Sequence, residues 1–214
     1  MQTSNNSRDA ILEGIRSSLP QNKVEHPQIP VFQRTDRPLQ SEFEQHLQQA
    51  GGAGHEVGSA AEAEAKLMTL HPGAKVICSA VPEIVGTRRV EKVRDPHELA
   101  DVDVGVVRAQ FGVAESGAIW LTQEDLIVDA LAVLSQHLIV LLDPKQIVPD
   151  MHEAYRRVCL NETAFGCFMM GPSATADVEA TLVHGAQGAR SLNIFFLPPA
   201  QTVVFRGSTK ASGA

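Results

Sequence analysis

Phe165-Gly166-Cys167-Phe168-Met169-Met170-Gly171-Pro172-Ser173-Ala174-Thr175-Ala176-Asp177-Val178-Glu179 is the stretch on which the reading of this chain turns. It begins as a short apolar run, breaks at Gly171-Pro172, and resumes with Ser173, Thr175, Asp177 and Glu179. The pattern predicts a strand, a tight turn and the first turn of a helix. That geometry aims free backbone N–H groups at a ligand. In an open α/β sheet, such a turn at the carboxyl end of a strand is where ligands bind.

Working outward, the flanking segments alternate between helix and strand. Apolar positions at helical spacing predict helices over residues 7–19, 39–50, 60–70 and 149–160, with Ser7 and Ser59 as caps and Gly51-Gly52 as a stop. Short apolar runs predict strands over 74–78, 102–107, 118–121, 138–142 and 192–197, with weaker candidates at 55–57 and 202–205. Residues 126–134 read as a helix or a loop, and Thr122 with Asp125 has capping-box spacing. The helix that opens at Ser173 would carry Leu182 and Val183 on its buried side. The sum is an α/β fold: a mixed, mostly parallel sheet with flanking helices. Residues 1–38 read as an N-terminal helix and Pro-rich linker (Pro27, Pro30, Pro38), 39–205 as the α/β domain, and 206–214 as a disordered tail. The first helix would pack on the main domain or on a neighbouring subunit.

At 214 residues the chain can bury a sizeable core. A net charge of -7, one Trp and one Tyr speak against a nucleic-acid surface. Cys78, Cys159 and Cys167 form no C-x-x-C pair, so neither a disulfide framework nor an iron–sulfur cluster is expected on this chain alone. The eight histidines show no H-x-H or H-E-x-x-H spacing, so no metal site and no cofactor are expected. Residues 1–7 are polar, and the apolar run 126–142 is broken by Asp129, Gln136 and His137. Neither a leader nor a membrane span is expected, and the reading is a cytoplasmic protein.

Three segments carry candidate chemistry. Gly112-Val113-Ala114-Glu115-Ser116-Gly117 sets one carboxylate between two glycines after a strand. Glu115 can serve there as a base, a nucleophile or an acceptor for substrate hydroxyls; the alternative is a turn with a solvated Glu. In the second segment Gly171, Ser173 and Thr175 suit a carboxylate or phosphate, whereas Asp177 and Glu179 suit hydroxyls or a cation. The alternative is an ordinary capped helix. In the third, Gly185-Ala186-Gln187-Gly188-Ala189-Arg190, the arginine can clamp a carboxylate or simply face water.

Taken together, Phe111-Gly-Val-Ala-Glu-Ser-Gly-Ala118, then Gly171-Pro-Ser-Ala-Thr-Ala-Asp-Val-Glu179, then Gly185-Ala-Gln-Gly188 resemble the LUD-domain family, that of lactate-utilisation protein C. The family pattern resembles F-G-I-A-E-T-G-T, then G-P-S-x-T-A-D-I-E with a following G-x-H-G-P. The likeness covers residues 102–197. It implies a fold similar to the sugar-isomerase and CoA-transferase group, and a non-redox role in oxidising L-lactate to pyruvate. It also implies iron–sulfur oxidoreductase subunits as partners and a small organic acid as ligand. The site it implies has Glu115 and Asp177 as catalytic candidates. Gly112, Ser116, Gly171, Ser173, Thr175, Glu179, Gln187 and Arg190 would contact substrate. The alternative is a stand-alone isomerase or acyl/CoA-transferase using Glu115 as base or nucleophile. Ser116 and Ala118 stand where threonines are usual, Gln187 where His is usual and Ala189 where Pro is usual. Gln187 can hydrogen-bond but cannot titrate.

Overall fold

The computed structural model describes residues 4–20, 25, 27, 37–159 and 163–199. The segments 202–205 and 206–214, and most of the linker, lie outside the described residues. The chain divides between Asp36 and Arg37 into two units. The first contributes α1 (Ser4–Ser18). It starts three residues before the predicted cap, so Ser7 lies within the helix. Its last turn is closed by Ser17 and Ser18, whose hydroxyls both donate to the Gly14 carbonyl. Ile11, Ile15 and Leu19 are exposed.

The second unit runs α2 (Leu39–Gln49), β1 (Ala53–Glu56), α3 (Ala60–Leu70), β2 (Ile77–Ser79), β3 (Arg88–Arg89), β4 (Val104–Arg108), β5 (Phe111–Val113) and β6 (Ala118–Thr122). It continues with α4 (Gln123–Leu126), α5 (Leu131–Leu134), β7 (His137–Leu142), β8 (Ile147–Val148), α6 (Met151–Arg157), β9 (Gly166–Met169), β10 (Ala174–Val178), β11 (Thr181–His184) and β12 (Ser191–Phe196). Six strands form one sheet in the order β1-β12-β7-β4-β2-β3, and every neighbouring pair is parallel. A second sheet, β8-β5-β6-β9, is mixed, and β10 and β11 pair as a separate antiparallel hairpin.

The central strands β4 and β7 are apolar on both faces because both faces are covered. Leu138, Val140 and Leu142 of β7 point to the side of α2, α4, α5 and the second sheet. Ile139 and Leu141 point to the side of α3, where Ala63, Leu67 and Ile84 meet them. Beyond the second sheet, Phe111, Val113, Trp120 and Val148 pack under Ala154 of α6.

Helix termini follow the sequence signals closely. Ser59 caps α3 by accepting from the Glu62 N–H at 3.2 Å. Thr122 and Asp125 form the capping box of α4. α2 ends in a Schellman motif: Gly52 N–H reaches the Leu47 carbonyl at 2.9 Å and Gly51 N–H that of Gln48 at 3.0 Å. Residues 126–134 resolve into two short helices rather than one.

The segment after Gly171-Pro172 differs from its prediction. It is no helix but the hairpin β10–β11, and Leu182, expected on a buried face, is 61% exposed. Two causes override the local helix signals. Thr175, Val178, Thr181 and Val183 are β-branched. The backbone of Ser173 is already taken: its N–H donates to Ala189 and its carbonyl accepts from Gly185, both at 2.9 Å. A chain clamped at both groups by distant backbone cannot begin a helix there. The hairpin turns at Glu179 and Ala180, with φ of 52° and 55°, the signature of a type I′ turn.

α2 is the support on which the second sheet and the Gly171 turn rest. Phe43 and Leu47 are fully buried on it. At Gly117 (φ +67°) an added Cβ would lie 2.3 Å from the Leu47 nitrogen. At Gly171 (φ +66°) it would lie 2.2 Å from the Ala50 carbonyl oxygen. Neither obstacle is a side chain that can swing away.

Gly117→Ala is therefore expected to destabilise the domain by about 3 kcal/mol, combining left-handed strain with overpacking. For a chain of this size that lowers Tm by about 10 °C in a thermal melt; an unchanged Tm would refute the close approach. Ala180→Gly acts in the opposite direction. Relief of left-handed strain at an exposed turn is worth about 1 kcal/mol and should raise Tm by about 3 °C, unless the turn is not type I′.

Candidate functional site

The β5–β6 turn is built by four groups that leave little of it free. Ala114 N–H donates to Val148 at 2.8 Å and Gly117 N–H to Val113 at 2.9 Å. Ser116 Oγ accepts from the Ala118 N–H at 3.3 Å. His46 of α2 lies 2.7 Å from the Ala114 carbonyl through Nδ1. A carbonyl only accepts, so His46 holds its proton on Nδ1. His46 went unnoticed in the sequence because a helix-face histidine carries no local signal of its distant partner.

Glu115 is exposed, but its carboxylate is not simply solvated. Oε1 accepts the Met151 N–H at 2.8 Å, at the first turn of α6. Those N–H groups have no partner within the helix, and a negative charge there is favourable. Asp150 caps the same helix by accepting from Glu153 at 2.8 Å. The carboxylate thus ties the β5–β6 turn to α6, with Oε2 left to act on something else.

The second motif divides. Gly171 and Pro172 are buried, with Gly171 against Ala50, while Ser173 sits between residues 185 and 189. With the Ser173 N–H spent on Ala189, no helix N-terminus offers free donors to an anion here. Thr175, Asp177 and Glu179 belong to the hairpin. Thr175 Oγ1 donates to Asp177 Oδ2 at 3.0 Å, and Asp177 and Glu179 are exposed. Gln187 is exposed on the loop that follows. The two motifs meet through their glycines: Gly117 docks at His46–Leu47 and Gly171 at Ala50, about one helical turn along α2. Gly112 lies on that helix too, its Cα facing Phe43.

Arg190 belongs elsewhere. Its stem packs on Gly185, and its head lines a cleft of about 300 Å³ with His71, Gly73, Ala74, Asp103, Gln136 and His137. This cleft lies at the amino ends of β2, β4, β7 and β12. His71 and His137 stack there with centroids 4.3 Å apart and planes 28° from parallel. His137 Nδ1 bonds to Ser191 Oγ at 2.8 Å, whereas His71 Nε2 is buried without a hydrogen-bond partner. Burial, and then its stacked neighbour, lower the His71 pKa. Burial, and then Arg190, lower that of His137, against an opposing pull from Asp103. Asp103 is held below the usual carboxylate range by the Val76 and Lys75 N–H groups, which it accepts at 2.9 and 2.7 Å. No group of three or more metal-ligating side chains occurs among the described residues. No described helix is long and apolar enough to cross a membrane.

Comparison with known proteins places this architecture. The chain is 30% identical over 102 residues to an uncharacterized protein of Neisseria meningitidis, a match covering 46% of this chain and 44% of that protein. It is 30% identical over 109 residues to the lactate utilization protein C of Halalkalibacterium halodurans, covering 48% and 45%. The chain thus matches less than half the length of each. The crystal structure of a DUF162 family protein from Deinococcus radiodurans superposes with a TM-score of 0.58 at 20% identity, covering 73% of this chain and 94% of that one. This likeness bears on the fold, and agrees with the α/β reading. The LUD domain model matches residues 86–197, just over half of the sequence, and includes both glycine-bearing motifs. The chain belongs to the LUD-domain family.

Proposed function

We propose that this protein is a non-redox component of an L-lactate utilisation system, acting beside iron–sulfur subunits that oxidise lactate to pyruvate. The observation that carries the reading is the ordered pair of motifs, Ala-Glu115-Ser-Gly and Gly171-Pro-Ser-Ala-Thr-Ala-Asp-Val-Glu179, set on one helix within a LUD domain. The likeness to a relative named lactate utilization protein C supports the pathway reading. The three cysteines are too far apart in sequence to form a cluster-binding run, so the electrons would travel on the partners. In this reading the motif surface organises those partners or holds a small organic acid, with Glu115, Ser173, Thr175 and Asp177 at its edge.

A second reading has its own observation. Glu115 is exposed, and Met151 engages Oε1. The other oxygen suits a base or nucleophile in a stand-alone isomerase or acyl/CoA-transferase.

Growth on L-lactate tests the first reading. A strain deleted for the gene is expected to grow poorly on L-lactate as sole carbon source and to recover with the wild-type gene; normal growth with undiminished lactate oxidation would sink the proposal. Glu115→Gln separates the two readings, since the Gln oxygen can still accept from Met151 and keep the turn in place. Where the motif surface organises partners, the variant restores growth. A catalytic Glu115 would instead cost about a hundredfold or more in turnover.

A further inference from the structure

The amino-edge cleft carries an unassigned site. We infer that it binds a small oxyanion, held by the Arg190 guanidinium and by N–H groups of the stacked His71 and His137 imidazoles. The oxyanion site rests on the cleft's own chemistry, and the choice of organic acids to test rests on the pathway reading.

The cleft combines three features. First, it holds an exposed guanidinium with no direct side-chain partner. Among the described residues the Arg190 side chain makes no hydrogen bond or ion pair, and its backbone N–H goes to Gln136 at 2.8 Å. Other arginines near a cleft are committed. Arg88 and Arg89, beside the roughly 400 Å³ hollow at the other end of β2, pair with Asp101 and Glu91. Second, it holds unspent imidazole capacity. His71 Nε2 is buried and unpartnered, and a buried polar atom without a partner costs about 1–3 kcal/mol. Third, the one carboxylate present is turned to other work: Asp103 Oδ2 accepts two N–H groups from residues 75 and 76. A guanidinium with nearby imidazole donors is the chemistry that recognises a carboxylate or phosphate. A volume of about 300 Å³ admits only a small one.

Two sources share this chemistry, a short 2-hydroxy or 2-oxo acid and inorganic phosphate. The location is unusual for a parallel sheet, whose ligands ordinarily sit at the carboxyl ends of the strands. Here the carboxyl end of β4 is closed by Arg108, which binds Glu83 at 2.7 Å and the Leu197 carbonyl at 2.9 Å.

Protonation gives the site a direction. Both imidazoles have lowered pKa values in the fold, so the stability their neutral forms contribute is fully present above about pH 6.5 and is lost as pH falls below that towards their folded values. The charged groups facing the pair are Arg190, which opposes protonation of His137, and Asp103, which favours it. A bound oxyanion adds to the Asp103 side of that balance. Affinity is expected to rise as pH falls.

Imidazole-detected NMR on the full chain tests the site, with L-lactate, pyruvate and inorganic phosphate titrated separately. The expected result is a saturable shift of both His71 and His137 with at least one of the three anions, larger at about pH 5.5 than at about pH 7.5. The anions that act identify the source. Arg190→Gln should abolish the shift, and Arg190→Lys should weaken binding about tenfold while keeping the stem on Gly185. Lys is the informative variant if Gln fails to fold, which a thermal melt would reveal. Silence from all three anions, or full binding by Arg190→Lys, would overturn the site. A normal lactate phenotype would overturn only the pathway reading.

Discussion

The structure depends on how closely two glycine backbones approach one helix. α2 presents Leu47 and Ala50, and Gly117 and Gly171 lie against them at distances that leave no room for a Cβ. That contact sets the second sheet over the first, because β5, β6 and β9 all hang from the two turns. It buries Phe43 and Leu47, each worth about 2–3 kcal/mol of apolar transfer. It also explains why the family motif contains these glycines at all. In G-P-S-x-T-A-D-x-E the first letter is a packing requirement, and in A-E-S-G so is the last. Part of a motif that looks catalytic from its letters is architecture.

The same contact decides what could be read from the sequence. The parallel strands were legible because β7 is apolar from Leu138 to Leu142 and β12 from Ile194 to Phe196, runs that a sheet covered on both sides tolerates. The α2 stop and the α3 cap were legible because Gly51-Gly52 and Ser59 act within a few residues of their own positions. The Ser173 segment failed for the opposite reason. Its Ser, Asp and Glu imitate a helix start, while the groups that forbid one, Gly185 and Ala189, arrive from later in the chain. Ser7 misled in a smaller way, since a helix that begins at Ser4 makes a cap three residues on irrelevant.

The candidate site was legible as residues and not as a constellation. Gly117 and Gly171 of the two motifs lie against α2 and its C-cap, whereas Glu115 engages Met151 and Ser173 engages Gly185 and Ala189. His46, which fixes the Ala114 carbonyl, had no sequence signature, nor had the His71–His137 stack, whose members are separated by five strands and two short α-helices. Arg190, which the sequence offers either as a carboxylate clamp or as a solvated loop residue, lines the cleft with His71 and His137 and not the surface of Glu115. Arg190 immediately precedes β12, which begins at Ser191, so its side chain lies at the amino edge of the sheet.

That displacement resolves a difficulty of charge. A pocket made of Glu115, Asp177 and Glu179 with Arg190 would hold three carboxylates and one guanidinium, a poor host for an organic anion. The structure separates them. Glu115 is met by the N-terminus of α6, Asp177 by Thr175, and Glu179 stands at an exposed turn. The guanidinium faces neutral imidazoles instead. Yet it is not isolated from the hairpin, because its stem packs on Gly185 and its neighbour Ala189 accepts from Ser173. An oxyanion held by Arg190 would immobilise the side chain against which the base of β10–β11 rests.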